Sequence, residues 1–120
     1  DTYGHQAGDE ILRTLGSLLN EDLRTSDFAA RYGGEEFAVI LPEMPASGAL
    51  AAAERIRSKV AGQVMLVSLS QTTKITVSIG VAVFPEDAGA SDDLIAAADR
   101  ALYAAKRDGR NRIYRMTTVQ

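Results

Sequence analysis

The stretch Arg31-Tyr32-Gly33-Gly34-Glu35-Glu36-Phe37-Ala38-Val39-Ile40-Leu41-Pro42 decides how the rest of the chain is read. It predicts the end of one strand, a tight glycine turn and a second, buried strand. Adjacent glycines admit positive φ at no steric cost, which suits a two-residue hairpin turn. Phe37 to Leu41 is a continuous apolar run of strand length, and Pro42 stops it. Between turn and strand stand two carboxylates, Glu35 and Glu36, which a strand points to opposite faces. Such a pair beside a glycine turn can hold a divalent cation against a phosphate, or can simply be solvated.

Composition sets the frame around this stretch. A chain of 120 residues, 46% hydrophobic and 24% charged, predicts one globular domain with a useful core. The net charge of −3 and the scatter of basic residues argue against nucleic acid as a partner. Cysteine is absent, which excludes disulfides and thiolate metal sites and agrees with a cytoplasmic location. No apolar run approaches the ~20 residues that cross a bilayer, and the first residues are too polar for a signal peptide. Any membrane or sensor part is therefore expected outside this chain.

Upstream of the hairpin, Asp1 to Gly8 reads as a polar turn and about Ala7 to Leu23 as a helix. Its apolar face is Ile11, Leu12, Leu15, Leu18, Leu19 and Leu23. Asp9 and Glu10 fall in the expected first turn, where the helix dipole favours carboxylates. His5, the single histidine, is placed in the loop before it, with no second histidine to share a metal. Arg24-Thr25-Ser26-Asp27 follows, with the spacing of a local i, i+3 ion pair. Phe28 to Tyr32 and Glu36 to Leu41 are the two hairpin strands.

Downstream, Pro42 to Ser47 is expected as a loop. Ala49, Ala53, Ile56 and Val60 then mark a helix ending at Gly62, on which Arg55 and Arg57 read as exposed solubilising residues. Val64 to Leu69 predicts a short strand, and Gln71-Thr72-Thr73-Lys74 a polar turn. Ile75, Val77, Ile79, Val81 and Val83 alternate with smaller residues, which predicts a core strand. Ser91 is the expected N-cap of a last helix, with Asp92 and Asp93 in its first turn and Leu94, Ile95, Ala98, Leu102 and Ala105 as its buried stripe. Lys106, Arg107 and Gly109 close that helix, and Asn111 to Arg115 is a short final strand. The order of elements predicts an α+β fold, helices packed on a largely antiparallel sheet.

Several stretches together resemble the GGDEF family, the diguanylate cyclases, whose signature allows Asp or Glu at its third position. They are Arg31 to Phe37, Asp1-Thr2-Tyr3-Gly4-His5 with Gly8-Asp9-Glu10, Val77 to Val81, Ala98-Asp99, and Tyr103 to Asn111. The resemblance covers nearly the whole chain and keeps the family's order. It implies a ferredoxin-like core related to nucleotidyl cyclases and polymerase palms.

The resemblance also implies a reaction: two GTP molecules joined into cyclic di-GMP, with release of two pyrophosphates, by two domains of a homodimer facing each other. Mg²⁺ or Mn²⁺ is the implied cofactor. Glu35 is then the metal ligand and candidate base, Glu36 the second catalytic carboxylate, and Gly34 the point where ribose and phosphate approach backbone. Asp9 reads the guanine base, with His5 structural or adjacent to substrate. Lys106 and Arg110, in Ala105-Lys106-Arg107-Asp108-Gly109-Arg110-Asn111, hold the β- and γ-phosphates; as cations at a helix C-terminus they also have a place without any ligand. Arg24 and Asp27 match the family's product-binding inhibitory site, to which Arg55 of a neighbouring molecule contributes.

One departure accompanies the likeness. The family places a strand before the Asn-Asp pair whose aspartate is matched by Asp1; that strand carries an aspartate metal ligand, a lysine and phosphate-binding amides. The stretch is therefore expected to be an N-terminally incomplete GGDEF domain, inactive by itself. Two function classes stand: a diguanylate cyclase domain, and a non-catalytic module that binds GTP or cyclic di-GMP to regulate an attached domain. The intact glycines and acidic pair favour the first.

Overall fold

The structure, a computed structural model, describes residues 4–33, 36–66 and 71–115. In chain order the elements are α1 (Gly4–Glu21), β1 (Phe28–Gly33), β2 (Glu36–Ile40), α2 (Ala46–Ala61), β3 (Val64–Leu66), β4 (Thr72–Lys74), β5 (Ile79–Val81), α3 (Ser91–Arg107) and β6 (Ile113–Arg115). The fold is α+β. Among the described residues the strands pair two by two: β1 with β2 and β3 with β4 antiparallel, β5 with β6 parallel. The chain divides into two compact units, residues 1–43 with 59–75, and residues 44–58 with 76–120.

In the first unit α1 buries Leu15, Leu18 and Leu19, with Ile11, Leu12 and Leu23 half-buried beside them. This is the face that the leucine spacing predicts. The helix starts three residues earlier than expected, at Gly4 rather than Ala7. His5 is thus on the helix and not in a loop, and the first turn carries no acidic residue. Val60 and Met65 are fully buried. Thr72–Lys74, expected as a polar turn, is strand β4, in register with β3 from Val64↔Lys74 to Leu66↔Thr72. The β-branched threonines suit an extended backbone, and β3 supplies the ladder their polarity had concealed.

In the second unit α3 packs on β5 and β6. A Cβ at Gly80 of β5 would run into the backbone of Ala98 and Leu102, so strand and helix meet backbone to backbone there. The buried residues of α3 are Ala97, Ala101, Ala104 and Ala105. Ile95, expected in the stripe, is exposed, and Leu94 is only half-buried. The N-cap is Ala90, with no side-chain cap bond, so Ser91 is the first helical residue and not the cap. Asp92 and Asp93 do occupy the first turn, and Lys106 and Arg107 the last. Among the described residues the alternating run from Ile75 to Val83 pairs over Ile79–Val81 alone, because alternation reports facing and not hydrogen bonding.

Candidate functional site

The expected hairpin forms, but Gly33 is the last residue of β1 and pairs with Glu36 instead of turning the chain with Gly34. Phe28 faces Ile40, Ala30 faces Ala38, Arg31 faces Phe37 and Gly33 faces Glu36, with an irregularity between Arg31 and Gly33. The bulged residue is Tyr32, which is exposed. Gly33 opposite Glu36 leaves Gly34 and Glu35 as the two connecting residues; both lie outside the described residues. The roles expected of Gly34 and Glu35 therefore rest on residues outside that description. Glu36 opens β2, half-buried. Its hard oxygen donors suit Mg²⁺ or Mn²⁺. Among the described residues no three His, Cys, Asp or Glu side chains gather to hold a metal.

Asp9 sits one and a half turns into α1 and is exposed. The helix-terminus explanation for its charge therefore fails. With Leu12, Arg13, Arg31 and Phe37 it lines a shallow, open depression between α1 and the hairpin. A carboxylate at such a depression can accept paired N–H donors from the edge of a flat base. Arg13 is drawn to Glu10 on the same helix.

Arg24 and Asp27 grip each other. Arg24 Nε donates to Asp27 Oδ1 at 3.0 Å, Nη2 donates to the same oxygen at 2.7 Å, and the Arg24 backbone N–H donates to Oδ2 at 2.8 Å. A further Nη2 bond reaches the carbonyl of Pro42 at 2.8 Å, tying the pair to the end of the hairpin. The Asp27 side chain is 3% exposed, while that of Arg24 is 46% exposed. The guanidinium bonds hold the Asp27 carboxyl below its usual range against the opposing effect of desolvation. The local ion pair that the spacing allows is thus formed, and it presents half of an arginine fork to solvent.

The remaining candidates belong to the second unit. Lys106 is half-buried in the last turn of α3, and Arg110 is exposed just beyond it. The helix ends through Asp108 N–H to Ala104 O at 2.9 Å and Arg110 N–H to Ala105 O at 2.9 Å. Asp108 accepts from Arg107 Nε at 2.9 Å and from the Tyr114 hydroxyl at 2.7 Å, so the helix end is locked to β6. Arg55 is exposed on α2. Arg57 is not the solubilising residue expected: its side chain is 23% exposed, paired to Glu54 and bonded to Asn111 Oδ1 at 2.8 Å. The Glu54-x-x-Arg57 spacing was the signal available for the pair; nothing in the sequence pointed to Asn111 as the second partner.

The structure therefore gathers the candidates in three groups: Asp9 against the hairpin, Arg24 with Asp27, and Lys106 with Arg110 at one helix end. Comparison with known proteins gives these groups a context. The profile described as "Diguanylate cyclase, GGDEF domain" matches residues 1–112. The chain belongs to the GGDEF family.

This GGDEF domain is 42% identical over 113 residues to diguanylate cyclase A of Treponema denticola, covering 94% of the chain and 30% of that protein. It has the same identity and span with diguanylate cyclase DosC of Escherichia coli K12, of which it covers 24%. The chain thus spans under a third of the length of these relatives. Among solved structures it resembles the GGDEF domain of DgcB from Caulobacter crescentus in complex with c-di-GMP, with TM-score 0.84 and 41% identity over 95% of this chain and 67% of that one. The active GGEEF domain of a diguanylate cyclase from Vibrio cholerae gives TM-score 0.80 and 34% identity, covering 98% of this chain and 74% of that one.

Proposed function

We propose that the protein carrying this GGDEF domain condenses two molecules of GTP into cyclic di-GMP and two pyrophosphates. The observation that carries the reading is the hairpin. Its strands pair from Phe28↔Ile40 to Gly33↔Glu36, so the signature residues fall where β1 gives way to β2, and Glu36 opens the second strand.

In this reading Asp9 accepts the ring N–H and exocyclic amine of guanine, which selects GTP over ATP. Lys106 and Arg110 hold the β- and γ-phosphates from the end of α3. His5 lies beside the substrate, and Gly34 lets ribose and phosphate reach the backbone. Glu35, with Glu36 as the second carboxylate, holds Mg²⁺ or Mn²⁺, which when bound acidifies the attacking hydroxyl and neutralises charge on the leaving pyrophosphate. The 3′-oxygen of each nucleotide forms a bond to the α-phosphorus of the other while the α–β bridging bond breaks. The hydroxyl proton leaves, with Glu35 as candidate base, and pyrophosphate carries away the electron pair. One domain holds one GTP, so two copies must face each other symmetrically.

Arg24 and Asp27, joined by Arg55 of a second domain, form a product site that restrains the enzyme. The cyclic di-GMP complex of the Caulobacter crescentus relative supports the choice of ligand. Chromatography of the nucleotides formed by the full-length protein from GTP with Mg²⁺ tests the function, with ATP as the control. Cyclic di-GMP from GTP and no cyclic dinucleotide from ATP is the expected result. Nucleotide binding with no product would instead make the domain a regulatory module.

A further inference from the structure

We propose that Arg57 is a positioning residue for the phosphate-binding end of α3, a role that rests on reading Lys106 and Arg110 as phosphate ligands. After α3 the backbone takes three successive positive φ values, 129° at Gly109, 62° at Arg110 and 49° at Asn111. Glycine accepts such a value freely, but for arginine it is unfavourable, and neighbouring structure must hold it. On one side the turn is held by its own helix, through Arg110 N–H to Ala105 O at 2.9 Å. Arg112 Nε adds a bond to Arg110 O at 3.0 Å. On the other side stands α2: Arg57 Nη1 donates to Asn111 Oδ1 at 2.8 Å, fifty-four residues away in sequence.

Arg57 is itself fixed before it reaches the turn. Its Nε donates to Glu54 Oε1 at 2.9 Å and its Nη2 to Oε2 at 2.7 Å, and the same carboxylate accepts from the Ser58 hydroxyl at 2.9 Å. A planar fork with one edge on Glu54 has its remaining nitrogen aimed by geometry, which a lysine cannot reproduce. The aim is the residue directly after Arg110. Arg57 thus sets where the Arg110 side chain starts from without touching substrate, and Asn111 is the link.

The test compares affinities for 3′-deoxy-GTP, which lacks the attacking hydroxyl, and for GMP, which lacks the β- and γ-phosphates. Asn111→Gly keeps the positive φ and removes the acceptor; Asn111→Asp keeps the acceptor. Arg57→Ala and Asn111→Gly should each weaken 3′-deoxy-GTP roughly three- to tenfold, the worth of one hydrogen bond, and leave GMP unchanged. The double variant should lose no more than either single one, and Asn111→Asp should bind as wild type. Arg110→Ala separates the two levels of the argument. If it leaves the ratio between the two ligands unchanged, the phosphate reading fails and this inference falls with it. If it collapses the ratio while Asn111→Gly does not, Arg57 positions nothing. Equal weakening of both ligands by Asn111→Gly also overturns the proposal, because general loosening has no preference for phosphates. Should Arg57→Ala fail to fold, Asn111→Gly decides alone.

Discussion

Arg115 closes over the carboxylate of Asp87. Its Nε lies 2.8 Å from Oδ2 and its Nη2 3.2 Å from Oδ1, and the Asp87 side chain is 1% exposed. The same Oδ2 accepts the backbone N–H of Val83 at 2.8 Å. One carboxylate thus joins the loop after β5 to strand β6.

Removing Arg115 strands a carboxylate that is 1% exposed, and removing Asp87 leaves a guanidinium that is 20% exposed without its partner. Asp87→Ala should lower the melting temperature by roughly 10 °C, and Asp87→Asn by less, since the amide still accepts from Val83. A differential scan of the three proteins checks this. A shift of only about a degree would mean that the pair is no more than a surface contact.

Gly80 supplies the second prediction. With the backbone of Ala98 and Leu102 against its Cα, there is no volume for a methyl group. Gly80→Ala should cost about 1–3 kcal/mol in denaturant titrations and shift β5 from α3. Unchanged stability would show that the helix moves aside freely.

How far these features could be read from the sequence differs from one to the next. The buried face of α1 and the existence of the hairpin were legible, because leucine spacing and a glycine pair are local signals; its register was not, since Gly33 ends β1 and pairs with Glu36. The α3 stripe was legible only in part: Ala105 is buried as expected and Ile95 is exposed, while Ala97, Ala101 and Ala104, too small to stand out as a hydrophobic stripe, are buried. Asp87 with Arg115, and Arg57 with Asn111, bridge 28 and 54 residues of chain, and no periodicity reports such pairs. Of the site, Asp9, Arg24, Asp27, Lys106 and Arg110 were named through family likeness. The structure adds which neighbours each one has.

Acid should weaken the domain partly through Glu54. Hydrogen bonds from Arg57, then from Ser58, lower its carboxyl from 4.5 to about 2. A depressed folded value means the contribution is complete above the unfolded pKa and disappears as pH falls through the folded one. The window is therefore about pH 4.5 down to about pH 2. The carboxylate is 52% exposed, so solvent keeps the effect small. Asp27 and Asp108 are lowered too, by Arg24 and Arg107, and steepen the same slope. Denaturant midpoints for Glu54→Gln should fall less across this window than those of wild type. Parallel curves would contradict the assignment.

Feedback is tested at Arg24. Product that recruits its guanidinium must compete with Asp27 and Pro42, and must favour an arrangement of two domains in which their GTP sites are apart. Arg24→Ala should raise the cyclic di-GMP concentration needed for inhibition roughly tenfold, without changing the initial rate. Progress curves with and without added product measure both. Wild type and variant slowing at the same product concentration would leave the pair a local ion bridge only.

The most direct measurement is the rate of cyclic di-GMP formation from GTP by the full-length protein and by its Glu35→Gln variant, with folding of both verified by their melting curves. The account predicts product from the wild type and a loss of several orders of magnitude in the variant, since removing the ligand's charge removes metal stabilisation worth several kcal/mol. Equal turnover by the two folded proteins would contradict it.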